Sequence, residues 1–211
     1  MKPRDLFLAG VQQHAVPVFE GRGFKFRRSK LDFTRVAPDG VRQRVSFSLS
    51  RWNSEDQCDF WSMWGATNPD YTKWFKHEWN EKPSSDFLGE VSDWNIEGWS
   101  RRADQHYRLR TRADDVQEWR AFLTDAERAG FPFLERISTW RGAADHLRSE
   151  RWHFDRSADF LLIAGDPEGA RATLLEGIET FEVAKRADNF NELPRIKQRL
   201  ERYFGSTCNP T

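Results

Sequence analysis

Hydrophobic positions recur along the chain first with helical and then with alternating spacing. Phe7, Val11, Ala15 and Phe19 fall at four-residue steps on one helical face, which predicts a first helix over 4–20. Pro17 inside that span removes one backbone hydrogen bond, so the last turn should kink or loosen before Gly21 and Gly23. From Phe24 the period changes to two. Phe24 and Phe26, then Leu31 and Phe33, then Val41, Val45, Phe47 and Leu49 each lie on one side of an extended segment, which predicts three strands. Pro38-Asp39-Gly40 is a turn triplet, with proline presetting φ and glycine accepting φ > 0, so the second and third strands should form a hairpin.

Residues 58–66 predict a fourth strand. Phe60, Trp61, Met63 and Trp64 do not alternate cleanly there, which implies two covered faces or a bulge. The stretch 67–104 sets Trp74, Trp79, Trp94 and Trp99 among Asn, Pro, Ser and Asp, and predicts irregular structure with short elements. A further strand is expected over 105–112, where Tyr107, Leu109 and Thr111 alternate with His106, Arg108, Arg110 and Arg112.

Helical spacing then returns. Asp114 with Gln117 has capping-box spacing, Val116, Trp119, Phe122, Leu123 and Ala126 form a stripe, and Gly130 with Pro132 signals a stop. Short helices follow at 132–137 and 140–149. Gly165-Asp166-Pro167-Glu168-Gly169-Ala170 reads as a connector between a helix at 156–164 and one at 167–187, which should pack back on it like a single tetratricopeptide-type unit. A last helix is expected over 190–204, capped by Asn189 and Glu192, with Leu193, Ile196, Leu200 and Phe204 on one face and Pro194 in its first turn. The predicted fold is α+β: an N-terminal helix, an antiparallel sheet of four to five strands and a C-terminal helical region. One domain over 1–211 is expected, with helix and sheet in 1–112 and a helical half, 113–211, packed on them.

Composition changes this picture only at the level of partners. Lys plus Arg and Asp plus Glu number 33 each, so the chain is formally neutral and a general polyanion binder is not expected. Ten Trp and seventeen Phe supply ample apolar surface for a core. No apolar run approaches the roughly 18–20 residues of a membrane span, and Leu6 to Gly10 is too short for a signal-peptide core. Cys58 and Cys208 have no CxxC spacing and make no disulfide framework. These features predict a cytoplasmic protein without a membrane segment.

No Walker loop, GxSxG elbow, HExxH or glycine fingerprint is present. The histidines, His14, His77, His106, His146 and His153, never stand three or four residues apart, so a metal site would have to be assembled from distant segments. Cys58 reads as a structural thiol, and carboxylate pairs such as Asp93 with Glu97 or Glu90 with Asp86 are common in so acidic a chain. No catalytic residue, cofactor or metal is expected.

The pattern that is not generic is arginine on strands. Opposite Val45, Phe47 and Leu49 stand Arg42 and Arg44, and opposite Tyr107 and Leu109 stand Arg108, Arg110 and Arg112. Were these strands in one sheet, its solvent face would gather up to five guanidinium groups near Trp61 and Trp64, a surface suited to carboxylate or phosphate. The competing reading pairs these arginines with local acids such as Asp32, Asp56 or Asp104. Asp86, Glu90, Asp93 and Glu97 mark a second candidate, an acidic recognition loop over 86–99 that could equally pair with the arginine face of its own sheet.

Pro17, Gly23-Phe24-Lys25, Phe33 and Arg35, then Gln43, Val45, Phe47 and Ser50, form a pattern over roughly 5–66 that resembles the domain-of-unknown-function 4304 proteins of bacteria. More loosely, the resemblance extends to the helices after 113 that end in Gly165-Asp166-Pro167. It implies a small bacterial α+β protein with no catalytic residues to carry over, of a kind that serves as an immunity or accessory protein neutralising a toxin. The expected function is therefore a non-enzymatic protein-binding module whose partner is another protein, a cognate toxin in the immunity reading. The alternatives are an enzyme acting on a nucleotide or nucleic acid through an Arg/Trp surface, and a regulatory or scaffold protein.

Overall fold

The structure, a computed structural model, describes residues 2–37, 40–110 and 112–205, with no side-chain description for 112–114. The Pro38-Asp39 pair of the predicted turn, Thr111, the Arg112 side chain and Cys208 lie outside the described residues. Contacts divide the chain into two compact units, Met1–Ser138 and Thr139–Thr211. The boundary therefore falls 26 residues beyond the 112/113 division read from the sequence. The reason is aromatic: Trp119, Phe122 and Phe131 bring the first helices after the sheet into the sheet's own core.

The first unit opens with α1 (Pro3–Gly10) and α2 (Val16–Gly21), joined by a π turn at Val11–Ala15. There the Val16 N–H reaches the Val11 carbonyl, five residues back. This widening puts Pro17 in the first turn of a new α segment, where its missing N–H needs no partner. The same device recurs at Ala126–Gly130, between α4 (Arg112–Asp125) and α5 (Phe131–Ile137), just ahead of Pro132. The stop predicted at Gly130 and Pro132 is consequently not made; the helical path continues through it.

Six strands form one antiparallel sheet: β1 (Lys25–Arg27), β2 (Asp32–Val36), β3 (Arg42–Leu49), β4 (Cys58–Thr67), β5 (Phe87–Ser92) and β6 (Tyr107–Leu109). Their order is β1-β2-β3-β4-β5, with β6 also on β4. β2 and β3 pair as the hairpin pattern predicts. β5 runs along Met63–Thr67 and β6 along Cys58–Phe60, so both share the edge of β4 opposite β3.

The stretch 67–104, read from the sequence as irregular, holds α3 (Pro69–Trp79) as well as β5. The helix starts where the Asn68 side chain accepts the Asp70 N–H at 2.9 Å and ends at left-handed Asn80, with Pro69 in its first turn.

The core of this unit is a lattice of rings. Phe19 stacks on Phe33 at 4.2 Å, Phe60 on Trp119 at 4.8 Å, and Phe7 meets Phe47 and Phe60 edge-on at 5.2 and 5.1 Å. A polar relay crosses its edge: Arg35 Nε donates to Gln43 Oε1 at 2.8 Å, and Gln43 Nε2 donates to Ser138 Oγ at 2.7 Å. Arg35 also donates to the Arg22 carbonyl, so two residues of the quoted motif tie β2 and β3 to the ends of α2 and α5.

The second unit is helical: α6 (Trp140–Ser149), α7 (Phe154–Ile163), α8 (Pro167–Ile178) with a π turn at Glu179–Val183, and α9 (Glu192–Phe204). Gly165 takes φ +75° and the Asp166 side chain accepts the Gly169 N–H at 2.9 Å, which makes the sharp α7–α8 connection the sequence predicts. The cap of α9 is not Asn189. Asp188 supplies it, its two oxygens accepting the N–H groups of Glu192 and Leu193 at 2.6 and 2.8 Å. Among the described residues no helix is long and apolar enough to cross a membrane.

Candidate binding surface on the sheet

Register decides what the outer face of the sheet presents. Arg44 sits opposite Thr34 on one side and Gly65 on the other, Gly65 opposite Glu90, Arg42 between Val36 and Thr67, and Arg108 opposite Asp59. Arg42, Arg44 and Arg108 are exposed, as their alternation with Val45, Phe47, Tyr107 and Leu109 predicts. They do not form one patch. β3 and β6 flank opposite edges of β4, and the six residues from Asp59 to Gly65 place Arg108 roughly 20 Å along the strand from Arg44. Arg110 lies just past the end of β6, beside Gln117 and Glu118.

The two ends differ in how far their charges are spent. Arg108 grips Asp59 through Nε and Nη2 at 2.8 and 2.9 Å, a bidentate pair that holds its pKa above the usual arginine value. Its N–H donates to Glu118 at 3.0 Å. Arg27 donates likewise to Asp32, with Nε at 2.7 Å, and Arg44 reaches Glu90 at 2.7 Å. Local acids thus hold three of the outer-face arginines, through Asp32, Glu90 and Asp59; Asp56 and Asp104 hold none of the three. Lys25 and Arg42 have no ion-pair partner among the described residues.

Arg42 and the loosely held Arg44 border a concavity of about 370 Å³. Arg42, Arg44, Thr34, Thr67, Phe87 and Glu90 surround it, and Gly65 lies in its floor. A side chain would crowd that point: a Cβ on Gly65 would stand 3.0 Å from both the Glu90 Cβ and the Gly89 carbonyl oxygen. Val36, 69 % exposed, adds an apolar rim beside Arg42. The lining holds guanidinium forks, two threonine hydroxyls and a displaceable carboxylate, without a histidine or cysteine among the described residues. Such a set can bind a carboxylate.

Several residues read as surface groups are structural. Trp64 is fully buried among Phe19, Phe131 and Trp99, and its Nε1 donates to Ser62 Oγ at 2.8 Å. It differs from Trp61 by three positions, so the pleat turns the two indoles to opposite faces. Asp93 is also buried. One of its oxygens accepts from Ser62 N–H and Oγ at 2.7 and 2.8 Å, the other from Trp94 N–H at 2.8 Å, and burial pushes its pKa up despite those bonds.

The acidic recognition loop over 86–99 is accordingly not a loop. Its first part is β5, which aims Glu90 at Arg44, and a 3₁₀ turn at Asp93–Asn95 follows. Asp86 is half-buried, with its carbonyl accepting the Asn68 N–H at 2.8 Å, and Glu97 is exposed. Trp61 does stay on the outer face, half-buried against His106 at 4.7 Å and Trp94 at 6.2 Å. The most exposed indole, Trp52 at 78 %, carries no signal in the alternation because it lies between β3 and β4. Cys58 is buried, and burial beside Asp59 and Asp115 pushes its thiol up to about 12, so it stays protonated at neutral pH.

Compared with protein-family models, with curated proteins and with solved structures, the chain matches none of them. The functional reading rests on its own residues.

Proposed function

We propose that the chain is a non-enzymatic binding module that holds an acidic segment of a partner protein against the outer sheet face around Arg42 and Arg44. A cytoplasmic immunity protein bound to its toxin is the form of this reading that the resemblance to the domain-of-unknown-function 4304 proteins favours. The observation that carries it is Arg42: an exposed guanidinium without an ion-pair partner among the described residues, beside an exposed valine and a concavity. Arg44 adds a second fork whose partner, Glu90, is part-exposed and can be exchanged for a carboxylate of the partner.

The nucleotide reading, in the form that stacks a base on Trp61, needs a free guanidinium fork beside that indole. Trp61 stands four residues along β4 from Gly65, roughly 13 Å away, and the arginine nearer to it, Arg108, is occupied by Asp59. The experiment is co-expression of the chain with the product of the adjacent gene. A retained complex that is lost in the Arg42→Glu/Arg44→Glu double variant supports the reading; a complex unaffected by both reversals overturns it.

A further inference from the structure

Buried charge in the helical unit gathers where the start of α7 meets α9, and it does not balance. Asp159 is held by Arg199 through two hydrogen bonds of 2.8 and 2.7 Å. Asp155, 5 % exposed, accepts from Arg195 Nε on Oδ2 at 2.6 Å. Glu192 is 0 % exposed, and its Oε2 accepts the Phe154 N–H at 3.0 Å, but no lysine or arginine pairs with it among the described residues. Two oxygens remain without a hydrogen-bond partner, Oδ1 of Asp155 and Oε1 of Glu192. Oε1 lies 3.9 Å from Nδ1 of His153. A buried carboxylate without a cation is costly, and it calls for either a proton or a bound positive ion.

We propose that His153, Asp155 and Glu192 form a binding site for one first-row divalent metal ion of the Zn²⁺ or Mn²⁺ type. One ligating atom from each of the three lies within 4.8 Å of the other two. Bonds of about 2.0–2.2 Å to a shared ion bring such atoms to within about 4 Å of one another, so small side-chain rotations close the set. One imidazole nitrogen and two carboxylate oxygens suit these ions and leave coordination positions for water. Arg195 occupies Oδ2 of Asp155 and leaves Oδ1 without a partner, so Arg195 can act as the outer-shell partner of a metal ligand. The ion would join the first residues of α7 to those of α9.

The rival arrangement puts a proton on Glu192 and no ion in the cluster. The full chain, stripped of metal by chelation, is titrated with ZnCl₂ and separately with MnCl₂ by calorimetry and thermal melting. One ion per chain and a rise in Tm are expected. Glu192→Gln keeps an oxygen for the Phe154 N–H, and His153→Asn keeps a residue type that visits left-handed φ; each should weaken binding roughly 100-fold or more, at least the upper end of what losing an outer-shell partner costs. In the unaltered chain, Mn²⁺ should broaden the amide NMR signals of 153–155 and 191–193 first. No binding by the unaltered chain, broadening centred elsewhere, or full affinity in both folded variants overturns the proposal.

Discussion

Asp93 shows how much one buried carboxylate can organise. Both of its oxygens accept, from Ser62 and from Trp94, and Ser62 in turn accepts from the indole of Trp64. Asp93→Asn sets an amide N–H against one of those donors, so a cost of about 1–3 kcal/mol is expected, read as a lower urea midpoint at unchanged m. The pH dependence has a definite sign. Because burial raises the Asp93 pKa above 3.8, its contribution to stability is full below that value and is lost as pH rises through the folded value. The variant lacks this component, so its deficit should be larger near about pH 4 than near about pH 8 in paired urea titrations. A deficit that grows with pH would contradict the assignment. The parity of β4 was legible: with Phe60 inward, Trp64 must be inward too. The aromatic density of 60–64 masks that parity, since Trp61 and Met63 are themselves half-covered on the other face.

At the scale of elements, helices press on the sheet where a side chain is missing. Gly10 of α1 meets the Trp119 indole so closely that an added Cβ would stand 2.1 Å from Nε1. Trp119 is fully buried against Phe60 and Phe7 and has no room to retreat. Helix propensity alone would favour Gly10→Ala by up to about 1 kcal/mol; overpacking should reverse the sign and destabilise by about 1–3 kcal/mol, measurable as a fall in Tm. Strands whose apolar residues alternate, β2 and β3, were legible with their pairing. The missed elements have weaker patterns. Tyr71, Trp74, Phe75 and Trp79 do recur at helical spacing in α3, but only Tyr71 is buried and the stripe is hidden among tryptophans read as loop anchors; Asn68-Pro69-Asp70 was the readable start of the helix. β5 takes its partners from β4 alone among the named strands, and Gly89 and Glu90 interrupt its apolar run. The π turns at Val11–Ala15 and Ala126–Gly130 each precede a proline that reads as a kink or a stop when only α geometry is considered.

For the whole molecule, neutrality hides segregation. Equal numbers of acidic and basic residues leave no net charge, yet the outer sheet face carries Lys25 and Arg42 without ion pairs among the described residues. The arginine strands were legible, but which arginines lie together was not. Their grouping depends on strand order and register, which place Arg108 at the other end of β4 and leave Arg42 and Arg44 as the candidate site. If these two residues steer a partner, association should slow as salt rises, because exposed charges are screened beyond about 10 Å at 0.1 M. Arg42→Ala/Arg44→Ala should then lower the low-salt association rate by about tenfold and flatten its salt dependence, while moving stability by less than about 0.5 kcal/mol at these exposed positions. Arg108→Ala makes the contrast. It abandons the nearly buried Asp59 carboxylate and should cost stability, but it should leave the salt dependence of association as it is. Stopped-flow association at several salt concentrations, with melts of the same variants, separates these outcomes; an equal loss of steering in both variants would place the partner over the whole sheet rather than at the Arg42 end.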